Sequence, residues 1–247
     1  MRLYLRVAAM VAGLLACVPL HFLWKLFVRR SPWPRIFLGY VGRRAGLRVT
    51  VEGTPLRDHV LFAANHVTWL DILALGGATR ALFVSRDDVE HWPVVGWIAG
   101  LNDTIYVARH ARRDVHGQAD QLRRALAAGR AVALFPEGTT SLDGLPFRPS
   151  LFASVFPPID HVRVQPVAID YGALTREIAW VGEESAGVNA KWVVSRKGTI
   201  PVTLRFLAPV DPHEAGDRKT LAARSKAEVI DALSAFGPEA DALYGAQ

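Results

Sequence analysis

The chain opens on its longest apolar run. From Val7 to Trp24 there is no Asp, Glu, Lys or Arg, and only His21 titrates near neutrality. A run of this length is marginal for crossing a hydrocarbon core of ~30 Å, and Pro19 predicts a kink if it is helical. Four readings compete: a membrane span, a helix lying in the interface, a cleaved signal peptide and a buried core helix. Leu14-Leu15-Ala16-Cys17 loosely resembles a lipoprotein cleavage box, with Leu15 an indifferent fit. Retained anchoring fits best, because Arg2 and Arg6 precede the run and Trp24 and Trp33 stand where interfacial aromatics belong. The flank that follows holds Lys25, Arg29, Arg30, Arg35, Arg43, Arg44 and Arg48. By the positive-inside rule this keeps the rest of the chain on the cytoplasmic face.

Beyond the basic flank, short apolar segments alternate with helical patterns. Leu47–Val51, Val60–Ala64, Ala81–Ser85, Thr104–Ala108, Ala131–Phe135, Val162–Ile169 and Val202–Leu207 are predicted strands, by length, β-branched content and flanking turns. Trp69–Gly76, Val115–Ala128, Pro149–Phe156 and Lys219–Phe236 are predicted helices. The looser stretch Gly182–Lys197 predicts an irregular insertion. The expected fold is α/β, a mixed and largely buried sheet flanked by helices, with an N-terminal membrane-associated helical segment. Residues 1–45 form the anchor and its basic flank, and residues 46–247 the folded domain. No internal repeat or low-complexity linker divides the chain.

Composition narrows the function. The 247 residues are 51% apolar with a formal charge of +6, a pI near 9.8 and a mean hydropathy of +0.17. Without a Lys/Arg tract or an aromatic-basic repeat, that charge suits an anionic membrane surface or anionic substrates rather than nucleic acid. The single Cys17 excludes an intramolecular disulfide framework and a Cys-based zinc site.

Two segments carry candidate chemistry. In Asn65-His66-Val67-Thr68-Trp69-Leu70-Asp71, the imidazole and the carboxylate are five residues apart, a rotation of about 140° on an ideal helix. They meet only if His66 lies on the turn before a helix and Asp71 in its first turns, with Thr68 as the cap. Asp71 then fixes the tautomer, and the other ring nitrogen accepts a proton from a hydroxyl. The plain alternative is a structural hydrogen bond, with Asn65 a turn former.

Phe135-Pro136-Glu137-Gly138-Thr139-Thr140-Ser141 follows a predicted strand, where α/β folds place ligands. Gly138 permits close backbone approach, and Thr139 and Thr140 offer hydroxyls to oxyanions. Glu137 needs a cation, for which Arg109 is the candidate. Arg109, His110, Arg112 and Arg113 are either a solvated basic turn or a phosphate clamp, which Arg86 could join. Trp92–Leu101 reads as plain core before it reads as a wall of an acyl-chain groove.

Taken together these segments resemble the block pattern of the glycerolipid (lysophosphatidic acid) acyltransferases. Asn65–Asp71 is similar to the first block, with its His-x4-Asp spacing, and Thr104–Arg109 to the second. Phe135–Ser141 is similar to the third block and Val164-Gln165-Pro166-Val167 to the fourth. The resemblance runs from about Val60 to Tyr171. It implies that His66 is the general base for attack of a hydroxyl on an acyl thioester, oriented by Asp71. It implies that Asn65, Arg109, Glu137, Gly138 and Thr139 help hold the acceptor. Acyl-CoA or acyl-carrier protein would be the donor substrate, with no metal or cofactor. Thr140 departs from the pattern, since that block commonly has Arg there, although Arg86, Arg112 or Arg148 could compensate.

The expectation is therefore a membrane-associated O-acyltransferase acting on a lyso-lipid, with 1-acyl-glycerol-3-phosphate as the first acceptor. A phosphate-free lyso-lipid such as lyso-ornithine lipid is the alternative. A non-catalytic lipid-binding module is the reading from another class. A secreted lipoprotein esterase is a weaker one, unsupported by any Gly-x-Ser-x-Gly elbow.

Overall fold

Val60–Ala64 is buried along its whole length, as a strand flanked on both edges and covered on both faces must be. It lies inside a sheet of seven strands among the described residues, which in this computed structural model are 1–28, 30–107, 115–142 and 144–235. In chain order the strands are β1 (Leu47–Glu52), β2 (Val60–Ala64), β3 (Leu82–Arg86), β4 (Ile105–Val107), β5 (Ala131–Leu134), β6 (Arg163–Asp170) and β7 (Ile200–Phe206). The helices longer than one turn are α1 (Arg2–Lys25), α2 (Trp33–Ala45), α3 (Leu70–Ala78), α4 (Val95–Leu101), α5 (Val115–Ala127), α6 (Ala186–Ser195) and α7 (Arg218–Ser234).

The strand order is β1-β7-β6-β2-β5-β3-β4, parallel throughout except where β6 meets β7. The neighbours β6, β2 and β5 are therefore parallel, and the loops that leave their C-terminal ends emerge side by side. Alternation along β2 sends Phe62 and Ala64 into one layer, with Leu70 and Leu73 of α3, and Leu61 and Ala63 into the other. The second layer is filled by Leu122 and Leu126 of α5 and by Leu221, Val229 and Leu233 of α7. The expected mixed, buried sheet flanked by helices is the observed one.

Two expectations change. Gly182–Lys197 is not irregular: Ser185 caps α6, its side chain accepting from the Val188 amide. Trp33–Ala45 was expected only as part of a basic flank but forms α2, which begins with Pro34 in its first turn and ends on left-handed Gly46. It crosses α3 so closely that a methyl group on Gly77 would lie 2.7 Å from the Gly39 Cα. Pro19 stands inside α1.

By length and composition α1 could cross a membrane, and it is almost wholly unburied. It nevertheless lies along the folded body. The Arg6 guanidinium donates to the carbonyls of Ala45, Val194 and Arg196, and the Tyr40 hydroxyl donates to that of Ala9. Buried His21 reaches Ser31 at 3.0 Å.

Candidate active site

Asp71 is completely buried and four donors converge on it. Oδ2 accepts from His66 Nδ1 at 2.8 Å, from the Val67 amide at 2.7 Å and from the Thr68 amide at 3.0 Å. Oδ1 accepts from the Tyr171 hydroxyl at 2.6 Å. A carboxylate so surrounded acts only as an acceptor, so Nδ1 carries the imidazole proton and Nε2 is left as the basic nitrogen. The pair meets as the spacing required, with His66 on the turn after β2 and Asp71 in the first turn of α3. Thr68 is not the cap. Its hydroxyl is buried without a partner among the described residues, and Asp71 itself collects the amides that precede the helix.

The ring of His66 stacks on Phe135, with centroids 4.0 Å apart and planes 13° from parallel. The Ser141 amide donates to the His66 carbonyl at 2.8 Å, tying the turn after β5 to the turn after β2. The Trp180 amide donates to the Val67 carbonyl at 3.0 Å, and the Thr140 hydroxyl donates to the Trp180 carbonyl. Backbone bonds from two other loops thus clamp the imidazole's support.

Two residues expected to hold the acceptor face inward instead. Asn65 is buried, its amide donating to the Ile169 carbonyl at 2.9 Å and accepting from the Ile169 amide at 2.8 Å. With both ends spent on β6, it braces the strand ends. Glu137 is also buried, and its cation is Lys226 of α7, at 3.1 Å. Burial, together with nearby Asp71, pushes the Glu137 carboxyl up to about 7 against the opposing pull of Lys226 and the His66 backbone amide.

Gly138 and Thr139 stand at the surface of the turn. Gly138 has φ +76°, open to glycine at no steric cost, and a methyl group there would meet the Arg148 guanidinium at 3.1 Å. Arg148 is therefore a second cation that the described residues bring to this turn, on its outer side, beside Lys226 on Glu137. Arg109, His110, Arg112 and Arg113 lie outside the described residues, as does the side chain of Arg86.

Beside the dyad an apolar cavity of about 760 Å³ runs between α1, α2, α3 and the segment Val89–Asn102, lined by Leu14, Phe37, Trp69, Ile72, Trp92 and Trp180 among others. Trp92–Leu101 is thus a groove wall more than core, and Val94 and Trp97 are exposed. Trp69 is fixed by its indole N–H, 3.0 Å from Asn189 Oδ1 of α6. At the opposite end of the parallel strands a cavity of about 620 Å³ gathers Lys25, Arg30, Arg35, Arg57, Arg80 and Arg130. Asp58 and Asp103 neutralise part of this charge.

The residues that sequence reasoning missed are Tyr171, Trp180 and Lys226, whereas Arg148 is one of the three arginines it named as able to compensate for Thr140. Tyr171 carried a readable signal, since it directly follows the strand whose end must lie beside β2. Lys226 is one of several cations on a helix far along the chain, and nothing local marks it.

The chain was compared with known proteins. A family model described as "Acyltransferase" matches residues 48–170. The lyso-ornithine lipid O-acyltransferase of Brucella abortus is 35% identical over 247 residues, covering 90% of each chain. The Rhizobium meliloti protein of the same name is 37% identical over 228 residues, 85% of this chain and 77% of its own. The 1-acyl-sn-glycerol-3-phosphate acyltransferase of Neisseria gonorrhoeae is 32% identical over 189 residues, 73% of each. The crystal structure of the 1-acyl-sn-glycerophosphate acyltransferase PlsC from Thermotoga maritima superposes with a TM-score of 0.59. At 21% identity over 93% of this chain and 95% of that one, it is a likeness of fold.

Proposed function

This chain belongs to the acyltransferase family, and from that premise we propose that it acylates the free hydroxyl of a lyso-ornithine-type lipid at a membrane surface. The observation that carries the chemistry is the His66–Asp71 pair, with Nδ1 committed at 2.8 Å and Nε2 left basic. Nε2 takes the acceptor's hydroxyl proton as that oxygen attacks the thioester carbonyl carbon. The C–O bond forms, the C–S bond breaks, and the imidazolium returns its proton to the departing sulfur of CoA or carrier protein. Asp71 holds the tautomer and stabilises the imidazolium.

The acceptor is argued from the turn after β5. Thr140 spends its hydroxyl on Trp180, in the position where the resemblance calls for a guanidinium. Arg148 then stands over Gly138, enough for one carboxylate in the bidentate manner of arginine. A head group built on ornithine presents a carboxylate in place of a phosphate. Two curated relatives, matched over 90% and 88% of their length, bear that acceptor in their name. The second reading, 1-acyl-glycerol-3-phosphate, is favoured by the Neisseria relatives.

Localisation follows from how α1 is held. Arg6, Tyr40 and His21 fasten it to the body along its length, so it lies in the interface with its outer face in lipid rather than crossing. Residues 1–45 serve as the anchor, the basic cavity favours an anionic cytoplasmic leaflet, and the apolar groove opens towards a lipid's acyl chain.

The test is turnover with radiolabelled acyl-CoA and both lyso-lipids side by side. His66→Ala is expected to lose ~10²–10⁴-fold, as removal of a general base does. Equal rates for wild type and variant exclude the mechanism, and turnover of the glycerophosphate acceptor alone excludes the proposed acceptor.

A further inference from the structure

The basic cavity at the opposite end of the parallel strands takes no part in the chemistry at His66. Six cations and two carboxylates line it, and its volume of about 620 Å³ is that of a small-molecule site. Both carboxylates are already engaged: Asp58 pairs with Arg30 at 3.1 Å, and Asp103 with Lys25 at 3.6 Å and Arg130 at 3.4 Å. Arg35 donates to the Gly77 carbonyl at 3.2 Å. Arg57 and Arg80 remain, exposed and without a hydrogen-bond or ion-pair partner among the described residues.

The backbone that carries these two arginines is held in place. Gln165 of β6 accepts from the Leu56 amide and donates to the Thr54 carbonyl, both at 3.0 Å, which pins the loop before β2. The Thr79 hydroxyl donates to the Leu75 carbonyl at 2.8 Å and accepts from the Ala81 amide at 3.3 Å, which pins the chain on either side of Arg80. Free guanidinium groups on a fixed backbone are a ready receiver for an oxyanion.

The surroundings indicate the source of that anion. His21 and Lys25, in the last two turns of α1, line the cavity, so it lies where the interfacial helix ends. Phe22, Leu23, Leu26 and Phe27 beside them are exposed. A cationic hollow flanked by bare apolar side chains matches a phospholipid, whose phosphate lies above its acyl chains. An acidic protein would meet the charge but leave those apolar side chains in water. We propose that this cavity seats the phosphate head group of an anionic membrane phospholipid, with Arg57 and Arg80 as its donors. The proposal rests on the reading of α1 as interfacial.

The full-length protein is sedimented with phosphatidylcholine vesicles, with and without phosphatidylglycerol. Arg57→Gln/Arg80→Gln is expected to lose about 30-fold in partition onto the phosphatidylglycerol vesicles and nothing on phosphatidylcholine alone. Arg218→Gln/Lys219→Gln removes the same charge at the start of α7, in the other layer, and should partition as wild type. Arg57→Lys/Arg80→Lys keeps the charge but loses the forked donors, and should still fall severalfold on phosphatidylglycerol. A lysine variant that matches wild type, or equal losses in the two glutamine variants, makes the attraction diffuse and overturns the site. Inorganic phosphate or acyl-carrier protein, at matched ionic strength, should leave the wild-type partition unchanged. If either abolishes the phosphatidylglycerol dependence, the occupant is a free phosphate or an acidic protein, and the lipid assignment is overturned. Wild-type protein that binds neither vesicle overturns the interfacial reading of α1. Phosphatidylglycerol dependence that persists in Arg57→Gln/Arg80→Gln overturns the cavity's role alone.

Discussion

The Tyr171 hydroxyl donates to Asp71 Oδ1 at 2.6 Å, from the residue directly after β6. The other donors to Asp71 come from the turn that it shares with His66. Tyr171 alone among them reaches it from the neighbouring strand. Its hydrogen bond keeps the carboxylate from rotating away from Nδ1 and gives Oδ1 a donor where Asp71 is completely buried.

Tyr171→Phe should therefore lower kcat with little change in KM. A hydrogen bond to a charged group is worth ~1.5–3 kcal/mol, and only part of that acts on the transition state, so about a tenfold loss is expected. Steady-state kinetics at saturating donor reads the split. A variant with wild-type kcat would show that the tyrosine serves packing alone.

Thr140→Arg should change the choice of acceptor. The variant places a guanidinium in the turn beside Arg148 and gives up the hydroxyl that holds the Trp180 carbonyl. Charge-assisted hydrogen bonds contribute ~1.5–3 kcal/mol, so the preference for 1-acyl-glycerol-3-phosphate over lyso-ornithine lipid should rise about tenfold or more. The overall rate should fall, because the brace to Val67 is weakened. An unchanged ratio of kcat/KM for the two acceptors would remove Thr140 from the head-group site.

The difference between what the sequence announced and what it concealed has a physical basis. The strand of Val60–Ala64 and the dyad of His66 and Asp71 were legible because both are local: an apolar run needs burial, and a turn of five residues brings the two side chains together. The roles of Asn65 and Glu137 were misjudged because their partners are distant, Ile169 and Lys226, and a buried polar side chain looks the same in sequence as an exposed one. Gly182–Lys197 looks irregular because its Ser, Gly and Asn are weak helix formers. The cap at Ser185 and the packing of Val193 against the core override that tendency. Sequence spacing could not reveal that α1 is fastened down, since the acceptors of Arg6 are main-chain carbonyls at Ala45, Val194 and Arg196.

Glu137 should make stability depend on pH. Its carboxyl stands at about 7 in the folded chain against 4.5 as its ordinary value, with burial the main cause. Between those two values the folded state binds the proton that the unfolded state has released. The free energy of unfolding therefore falls as pH rises through this window, by about 3 kcal/mol for this group. Glu137→Gln removes the dependence, although it leaves Lys226 unpaired at every pH. Thermal melts at intervals from about pH 5 to about pH 7.5 should show a flatter curve for the variant; parallel curves would contradict the burial of an ionising Glu137.

Val94 offers a probe of whether the rim of the apolar groove meets a membrane. It borders the apolar groove, it is 60% exposed, and with φ +66° and ψ −51° it sits at the centre of a γ-turn closed by the Val95 amide donating to the Pro93 carbonyl at 2.7 Å. Val94→Thr, which keeps the branched shape without the charge, controls for any effect on that turn, so the difference between Val94→Asp and Val94→Thr reports on what the side chain touches. If this rim and the outer face of α1 lie in lipid together, replacing the valine with a carboxylate forfeits ~1.5–3 kcal/mol of burial, and an anionic leaflet repels the new charge. Co-sedimentation with vesicles containing phosphatidylglycerol should show about a tenfold weaker partition than wild type. The loss should be smaller with phosphatidylcholine vesicles, where burial remains but repulsion does not. Equal partition of both proteins on both vesicles would place Val94 in water and leave α1 alone to meet the membrane.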